Sequence, residues 1–369
     1  MVTLMGKELP KYLQIVKLIK EKVESNELKS GDKLYSENQL SSMLSMSRQT
    51  VRHGISILEQ EGIVERIQGS GTYIKNNNTK PKTLNIAIVT TYVDRYIFPN
   101  IIKEMERIIS NAGFFTQIAF TYNKIERETI ILQTFLDNNV VDGIIIEPTK
   151  SGIPNPNIKL YKEMKKRGIP IIFFNSYYPN LDLPHVSMND KEAGLLAVNH
   201  LIEAGHTKIG GIFKADDRQG HFRYSGYIKG MLRAGLPIND ENIIWIDTED
   251  INRMEYNEMR ILDRLNGVTG CVSYNDEVGL PLVNICRKHN VSVPEDLSIV
   301  SIDDSDLAAY CDVPLTSVAY PIKGLGKKVA ENLLELINDS DFDANYEFPV
   351  SLTVRDSVRE IRSQDRKII

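Results

Sequence analysis

Ser47-Arg-Gln-Thr-Val-Arg-His-Gly-Ile-Ser-Ile-Leu-Glu-Gln-Glu-Gly62 runs straight into Ile63-Val-Glu-Arg-Ile-Gln-Gly-Ser-Gly-Thr-Tyr-Ile74. The first part is spaced as a helix. Ser47 stands where a capping side chain belongs. Val51, Ile55 and Leu58 form an apolar stripe, and Gly62 sits just past the end. The second part reads as two short strands joined by a small tip, Gln68-Gly-Ser-Gly71. Polar and basic residues crowd the helix start: Arg48, Gln49, Thr50 and Arg52.

Working outward, Ser36 with Gln39 three residues on is a capping-box pattern. It opens a short helix with Leu40, Met43 and Leu44 facing inward, and 45–47 make a turn. Before it, Pro10 precedes a helix with Leu13, Val16, Ile19 and Val23 at helical spacing. Two helices, a turn and a third helix make a helix-turn-helix, whose last helix presents its N-terminal residues to base edges. Arginine reads guanine bidentately and glutamine reads adenine. Backbone N–H groups at the Ser47 cap suit a phosphate. Gly69 and Gly71 let the hairpin tip, a wing, turn tightly beside a sugar-phosphate backbone. The alternative, a nucleotide phosphate loop at Gly69-Ser-Gly71, lacks the following Lys-Ser/Thr and the helix it needs.

Composition agrees. The chain has 369 residues, 42% hydrophobic and 25% charged, which suits a soluble protein of two or three domains. No apolar run approaches the roughly 20 residues that span a bilayer, and no signal peptide is evident at the start, so no membrane association is expected. Three scattered cysteines fit a reducing cytoplasm and no metal site. Charge is uneven. Residues 1–83 hold 13 Lys and Arg against 9 Asp and Glu, and the remainder 31 against 40. A basic front on an acidic body assigns the polyanion to the front.

Residues 10–75 resemble the winged-helix domain of the GntR family. The resemblance is carried by Pro10-Lys-Tyr12, Gly31-Asp-Lys-Leu34, Ser36-Glu-Asn-Gln-Leu40, Ser47-Arg-Gln-Thr-Val-Arg52, Leu58, Gly62 and Gln68-Gly-Ser-Gly-Thr-Tyr73. It implies that the helix around Arg48 to Arg52 enters the major groove of double-stranded operator DNA. The wing, Gln68, Gly69 and Ser70, then reaches the minor groove. It adds Lys11, Tyr12 and Glu37 as contacts near the DNA. The DNA-binding domain is expected over 1–75, with a polar, Asn-rich tether over 76–83.

From residue 84 onward strands and helices alternate: strands at 84–91, 115–122, 142–147, 170–174, 208–213, 243–246, 270–274 and 297–302. Helices lie between them, including one over 252–265. This is a doubly wound α/β pattern, too long for one core, so two lobes are expected. In such sheets ligands sit at the carboxyl ends of strands. There the sequence places Tyr92, Tyr96, Glu147, Lys214, Arg223, Asn275, Asp276 and Asp303. Planar polar groups with aromatics suit a small polyol. Bland readings exist: Asp276 and Asp303 as helix caps, Glu147 paired with Lys150. Trp245 reads as core. A glycosidase using Glu147 with Asp276 or Asp303 is the enzyme reading, but the DNA-binding front argues against catalysis.

Residues 84–360 also resemble the effector domain of the LacI family, related to periplasmic sugar-binding proteins. The motifs are Asp142-Gly-Ile-Ile-Ile146, His200-Leu-Ile-Glu-Ala-Gly-His206, Arg223-Tyr-Ser-Gly-Tyr227, Tyr274-Asn-Asp-Glu277, Val293-Pro-Glu-Asp-Leu297, Ile302-Asp-Asp304 and Leu315-Thr-Ser-Val318. The resemblance implies a homodimer and a sugar effector between two hinged lobes, with no cofactor. Lobe 1 would take 84–186 and 319–347, lobe 2 187–318 and 348–362, with crossings near 185–190, 316–322 and 347–350. The LacI family's own helix-turn-helix and hinge helix are absent. A GntR-type front on a LacI-type body is similar to pentose-responsive repressors of Gram-positive bacteria. With Glu147-Pro-Thr-Lys-Ser151 and Gly211-Ile-Phe-Lys-Ala-Asp-Asp217, this implies L-arabinose. Another sugar or a purine is the alternative effector, and activation the alternative output.

Overall fold

A computed structural model describes residues 10–25, 27–75, 83–138 and 140–361. The tether expected over 76–83 lies outside the described residues except for Thr83, as does the end of lobe 2 at 362. The chain forms two compact units, Met1–Lys82 and Thr83–Ile369.

The first unit is α1 (Lys11–Glu24), α2 (Glu37–Leu44), α3 (Arg48–Gln60), β1 (Val64–Ile67) and β2 (Gly71–Ile74). Ser36 and Gln39 close a reciprocal capping box on α2. Ser45, at φ 52°, makes the turn before α3. The two strands pair antiparallel, Val64 opposite Ile74. Asp32 and Leu34 add an edge by bonding to Ile74 and Thr72. The core joins Ile15, Val16 and Ile19 to Leu40, Val51, Ile55 and Leu58. Two expectations change. Ile15, not Leu13, completes the buried stripe of α1, because Gly54 of α3 lets that helix approach the Ile15 side chain. Met43 is 59% exposed, since α2 spans only eight residues and buries Leu40 alone.

The second unit holds two six-stranded sheets. In chain order come β3 (Asn85–Thr90), α4 (Phe98–Asn111), β4 (Phe115–Phe120), α5 (Ile125–Asn138), β5 (Gly143–Ile146), α6 (Ile158–Lys166), β6 (Ile171–Phe174) and β7 (His185–Met188). Then follow α7 (Asp190–Glu203), β8 (Ile209–Lys214), α8 (Arg218–Arg233), β9 (Ile243–Ile246), α9 (Thr248–Ile251), α10 (Glu258–Leu265), β10 (Gly270–Val272), α11 (Asp276–Lys288), β11 (Ser298–Asp303) and α12 (Asp306–Tyr310). The chain closes with β12 (Thr316–Ala319), α13 (Ile322–Asn338), β13 (Tyr346–Phe348) and β14 (Leu352–Thr353).

One sheet is ordered β13-β7-β6-β5-β3-β4 and the other β14-β12-β11-β10-β8-β9, parallel except for β12 with β14. The chain passes between sheets after β7, after β12 and after β13. The helix expected over 252–265 is divided. An Asp247–Asp250 capping box starts α9 at Thr248, and a 3-10 turn at Met254–Asn257 separates it from α10. Trp245 is half-buried, packed at its edge against Phe213 and Tyr224. α7 and α8 pack backbone to backbone: a Cβ at Gly194 would lie 2.0 Å from the Arg223 carbonyl oxygen. Only glycine permits that approach. No helix among the described residues is long and apolar enough to cross a membrane.

Candidate functional site

In the first unit, α3 begins as its sequence dictates. Ser47 Oγ accepts from the Thr50 amide at 3.2 Å and lies 2.8 Å from Thr50 Oγ1. Ser47, Arg48, Gln49, Arg52 and His53 are exposed and Thr50 is half-buried. The buried stripe occupies the other side, so the polar face is one continuous surface. The wing tip, Gln68 to Ser70, is exposed, with Ser70 Oγ 2.6 Å from the Tyr73 hydroxyl. Lys11 is exposed, and Tyr12 meets His53 edge-on at 4.6 Å.

Glu37 is already engaged. Both its oxygens accept from Arg52, at 2.9 and 3.2 Å. Its carboxyl is held below the usual range by the hydrogen bonds from Arg52, with Arg52, Arg66 and Arg48 adding attraction. The carboxylate therefore indexes the arginines of this face. A carboxylate is repelled by phosphate, so a direct role on the DNA backbone is disfavoured.

In the second unit, a cleft between the two sheets is lined by side chains from both. The space it encloses is small, about 60 Å³, so its walls are closely apposed. Tyr92, Tyr96, Glu147, Lys214, Arg223, Asn275 and Asp303 line it. Asp276 does not. It is fully buried, with Oδ2 accepting from the Ser305 amide and hydroxyl at 2.7 and 2.9 Å and Oδ1 from Ser317 at 2.8 Å. Asn275, not Asp276, caps α11: its Oδ1 accepts from the Val278 amide. That leaves the Asn275 NH2 to meet a ligand. Asp276 ties α11 to the loop after β11, and its expected contact with an effector is withdrawn.

Glu147 follows β5 and is 7% exposed. One oxygen accepts from Thr90 Oγ1 and the Thr91 amide, the other from Asn175 Nδ2 at 2.8 Å. Burial raises its pKa against the pull of those donors. It does not pair with Lys150, whose ammonium instead faces Asp216 at 3.7 Å. Arg223 is 1% exposed and each of its nitrogens is bonded: Nε to Asp190 at 2.8 Å, Nη1 to the Tyr274 carbonyl at 2.7 Å, Nη2 to Asp303 at 3.2 Å. One cation between two buried carboxylates leaves a negative excess. Burial pushes Asp190 up to about 6 despite Arg223. Lys214 bonds Asp217 at 2.6 Å, and although burial works against its charge, Asp217 and Asp216 raise its pKa. Tyr96 donates to Asp303 at 2.6 Å.

Several lining groups were not singled out from the sequence: Thr91, Arg95, Asp217 and Gln219 within the strand-end stretches and Glu277 within its motif, while Asn175 was missed altogether. Arg95 stacks over Tyr92 at 3.6 Å. Asn175 follows β6, an end that could have been read like the others. It accepts from Gln219 and from Tyr320, and so joins the two sheets.

A polar helix face with a wing, and a two-sheet cleft lined by hydrogen-bonding groups, define a ligand-responsive transcription regulator. A model for bacterial regulatory proteins of the gntR family matches residues 11–74, and one for a periplasmic binding protein-like domain matches 198–358. The chain is 37% identical to the arabinose metabolism transcriptional repressor of Halalkalibacterium halodurans, over 96% of this chain and 98% of that one. It is 35% identical to the protein of the same description from Geobacillus stearothermophilus, over 96% and 99%. Among solved structures, the transcription regulator CcpA of Lactococcus lactis superposes with a TM-score of 0.67 at 23% identity, over 74% of this chain and 99% of that one. A CelR–cellobiose complex gives 0.66 at 20%, over 88% and 100%. The chain belongs to the family of arabinose metabolism transcriptional repressors. It is a DNA-binding regulator and not an enzyme.

Proposed function

We propose that this repressor acts in the cytoplasm as a homodimer on a pseudo-palindromic operator and is released by L-arabinose bound in the cleft. The observation that carries the reading is that the cleft's polar groups come from both sheets: Glu147 and Asn175 from one, Lys214, Arg223, Asn275 and Asp303 from the other. A polyol bonding both sides favours the closed arrangement by its differential affinity, which is what a switch requires. Glu147 and Asp303 would accept from sugar hydroxyls, Lys214 and Asn275 would donate, and Tyr92 would cover an apolar sugar face. Arg48, Gln49 and Arg52 would read bases. Ser47 and Thr50 at the helix start, Lys11, Tyr12 and the wing tip would meet the backbone. Two relatives of nearly full-length coverage are named for arabinose metabolism, which favours a pentose over other polyols. Sugar binding need favour the low-affinity state by only ~1–3 kcal/mol to weaken operator binding severalfold to about 100-fold.

The test is a gel-shift titration of operator DNA with L-arabinose, D-xylose, D-ribose, D-galactose and a purine nucleoside. Release by L-arabinose at the lowest concentration is expected. Release by another compound alone would overturn the effector. Tighter operator binding with L-arabinose would overturn the direction of the switch.

A further inference from the structure

At one edge of the cleft the two lobes grip each other through groups that do not line it. Asn123 follows β4 and is 2% exposed. Its Nδ2 donates across to Thr248 Oγ1 at 2.5 Å and lies 3.4 Å from Asp216 Oδ2. Thr248 Oγ1 donates to that same oxygen at 2.8 Å. The Gly152 amide donates to the Asp216 carbonyl at 3.0 Å, and the Arg218 amide donates to Ser151 Oγ at 3.0 Å. The Lys150 amide donates to Asn123 Oδ1, which ties the loop after β5 to the loop after β4.

Topology fixes where this grip acts. The chain crosses between sheets from β7, β12 and β13 into β14, strands that crowd one edge of each sheet. Asn123 follows β4 and Thr248 follows β9, the strands at the far edges. The grip therefore lies opposite the hinge, where a small bond count has the longest lever on closure.

We propose that Asn123, Gly152 and Asp216 form a latch that closes the cleft without touching the effector, and that its strength sets how much sugar is needed for release. This rests on the reading that a sugar favours the closed cleft. The latch bonds shift the open–closed balance toward closed and so raise the apparent affinity for any ligand of the closed state. Selectivity among sugars stays with the lining groups.

Gly152 supplies the sharpest probe. A Cβ there would lie 2.7 Å from the Ala215 carbonyl oxygen and 2.9 Å from backbone atoms of Asp217. Backbone cannot swing aside, so alanine acts as a wedge. Gly152 does not have a positive φ, so alanine adds no local strain.

The experiment uses the full chain and the variants Gly152→Ala and Asn123→Ala. In sugar-free protein, amide hydrogen exchange is expected to speed up about tenfold or more over 148–156 and 215–222, while strands β5 and β8 keep wild-type protection. Unchanged exchange in those two segments overturns the latch. With L-arabinose, the midpoint for operator release should rise about tenfold in Gly152→Ala. Sugar-free operator affinity should tighten, because opening the latch populates the DNA-binding state, and the rank order of sugars should stay as in wild type. An altered rank order would place these residues in the ligand site and overturn the proposal. If wild type does not respond to L-arabinose, the effector assignment fails, and the exchange result alone decides the latch.

Discussion

Arg48 and Arg52 on α3 and Arg223 in the cleft carry the same charge under opposite conditions. The first two are exposed, and Arg52 holds one partner at the surface. Arg223 is buried and each of its nitrogens bonds a protein oxygen. An exposed arginine stays available for a polyanion and its attraction falls with salt. A buried one is part of the framework, and its removal strands its partners. One residue type thus serves an exposed polar face and a buried framework.

The largest effect should expose that contrast. Arg223→Ala leaves Asp190 and Asp303 buried without their cation, a loss of about 3–5 kcal/mol. Thermal unfolding is expected to fall by several degrees, with the sugar response lost. Arg48→Ala should leave unfolding unchanged and cost about 1–3 kcal/mol of operator binding, with less discrimination from random DNA. Anisotropy titrations at two salt concentrations measure the second, calorimetry the first. If Arg223→Ala unfolds like wild type, the division between docking and framework arginines is wrong.

The same contrast predicts opposite responses to pH. Burial raises Asp190 to about 6 in the folded protein from an ordinary value near 3.8. The native state therefore binds more protons than the unfolded state between roughly pH 4 and 6. This charge opposes folding above about pH 6, and the penalty is relieved as pH falls through that window, by of order 1–3 kcal/mol. Glu37 is lowered by its arginines, so its contribution is present at neutral pH and fades on acidification. Asp190→Asn should flatten the gain in stability of the full chain between pH 7 and 5. Equal slopes in variant and wild type would remove Asp190 as the source.

What could be read from sequence follows from what periodicity encodes. The stripe of Val51, Ile55 and Leu58 repeats at helical spacing, so the exposed face of α3 was legible as its complement. Strand ends were legible too, and with them the neighbourhood of Glu147, Lys214 and Asp303. Direction was not. Asn275 and Asp276 are adjacent, yet one faces the cleft and the other Ser305 and Ser317. Only the cap bond from Val278 to Asn275 decides between them. Likewise Asn123 and Thr248 are separated by 125 positions and meet only when both sheets are assembled, so no local pattern announces the latch.

The smallest effect tests the surface half alone. Glu37 pairs with Arg52 at a site where both side chains keep solvent access, 30% and 64%. Such pairs contribute about 0.2–1 kcal/mol, so Glu37→Gln should change unfolding little. Its effect on DNA has two parts. Losing a negative charge beside Arg48, Arg52 and Arg66 strengthens attraction to any phosphate backbone. Losing one of the two acceptor oxygens that hold the Arg52 fork lets it sample other rotamers, which weakens base reading. Binding to random DNA should therefore rise while the preference for operator falls, and the two affinities measured at one salt concentration give that ratio. A ratio that holds or increases would show that Arg52 is placed by the helix alone.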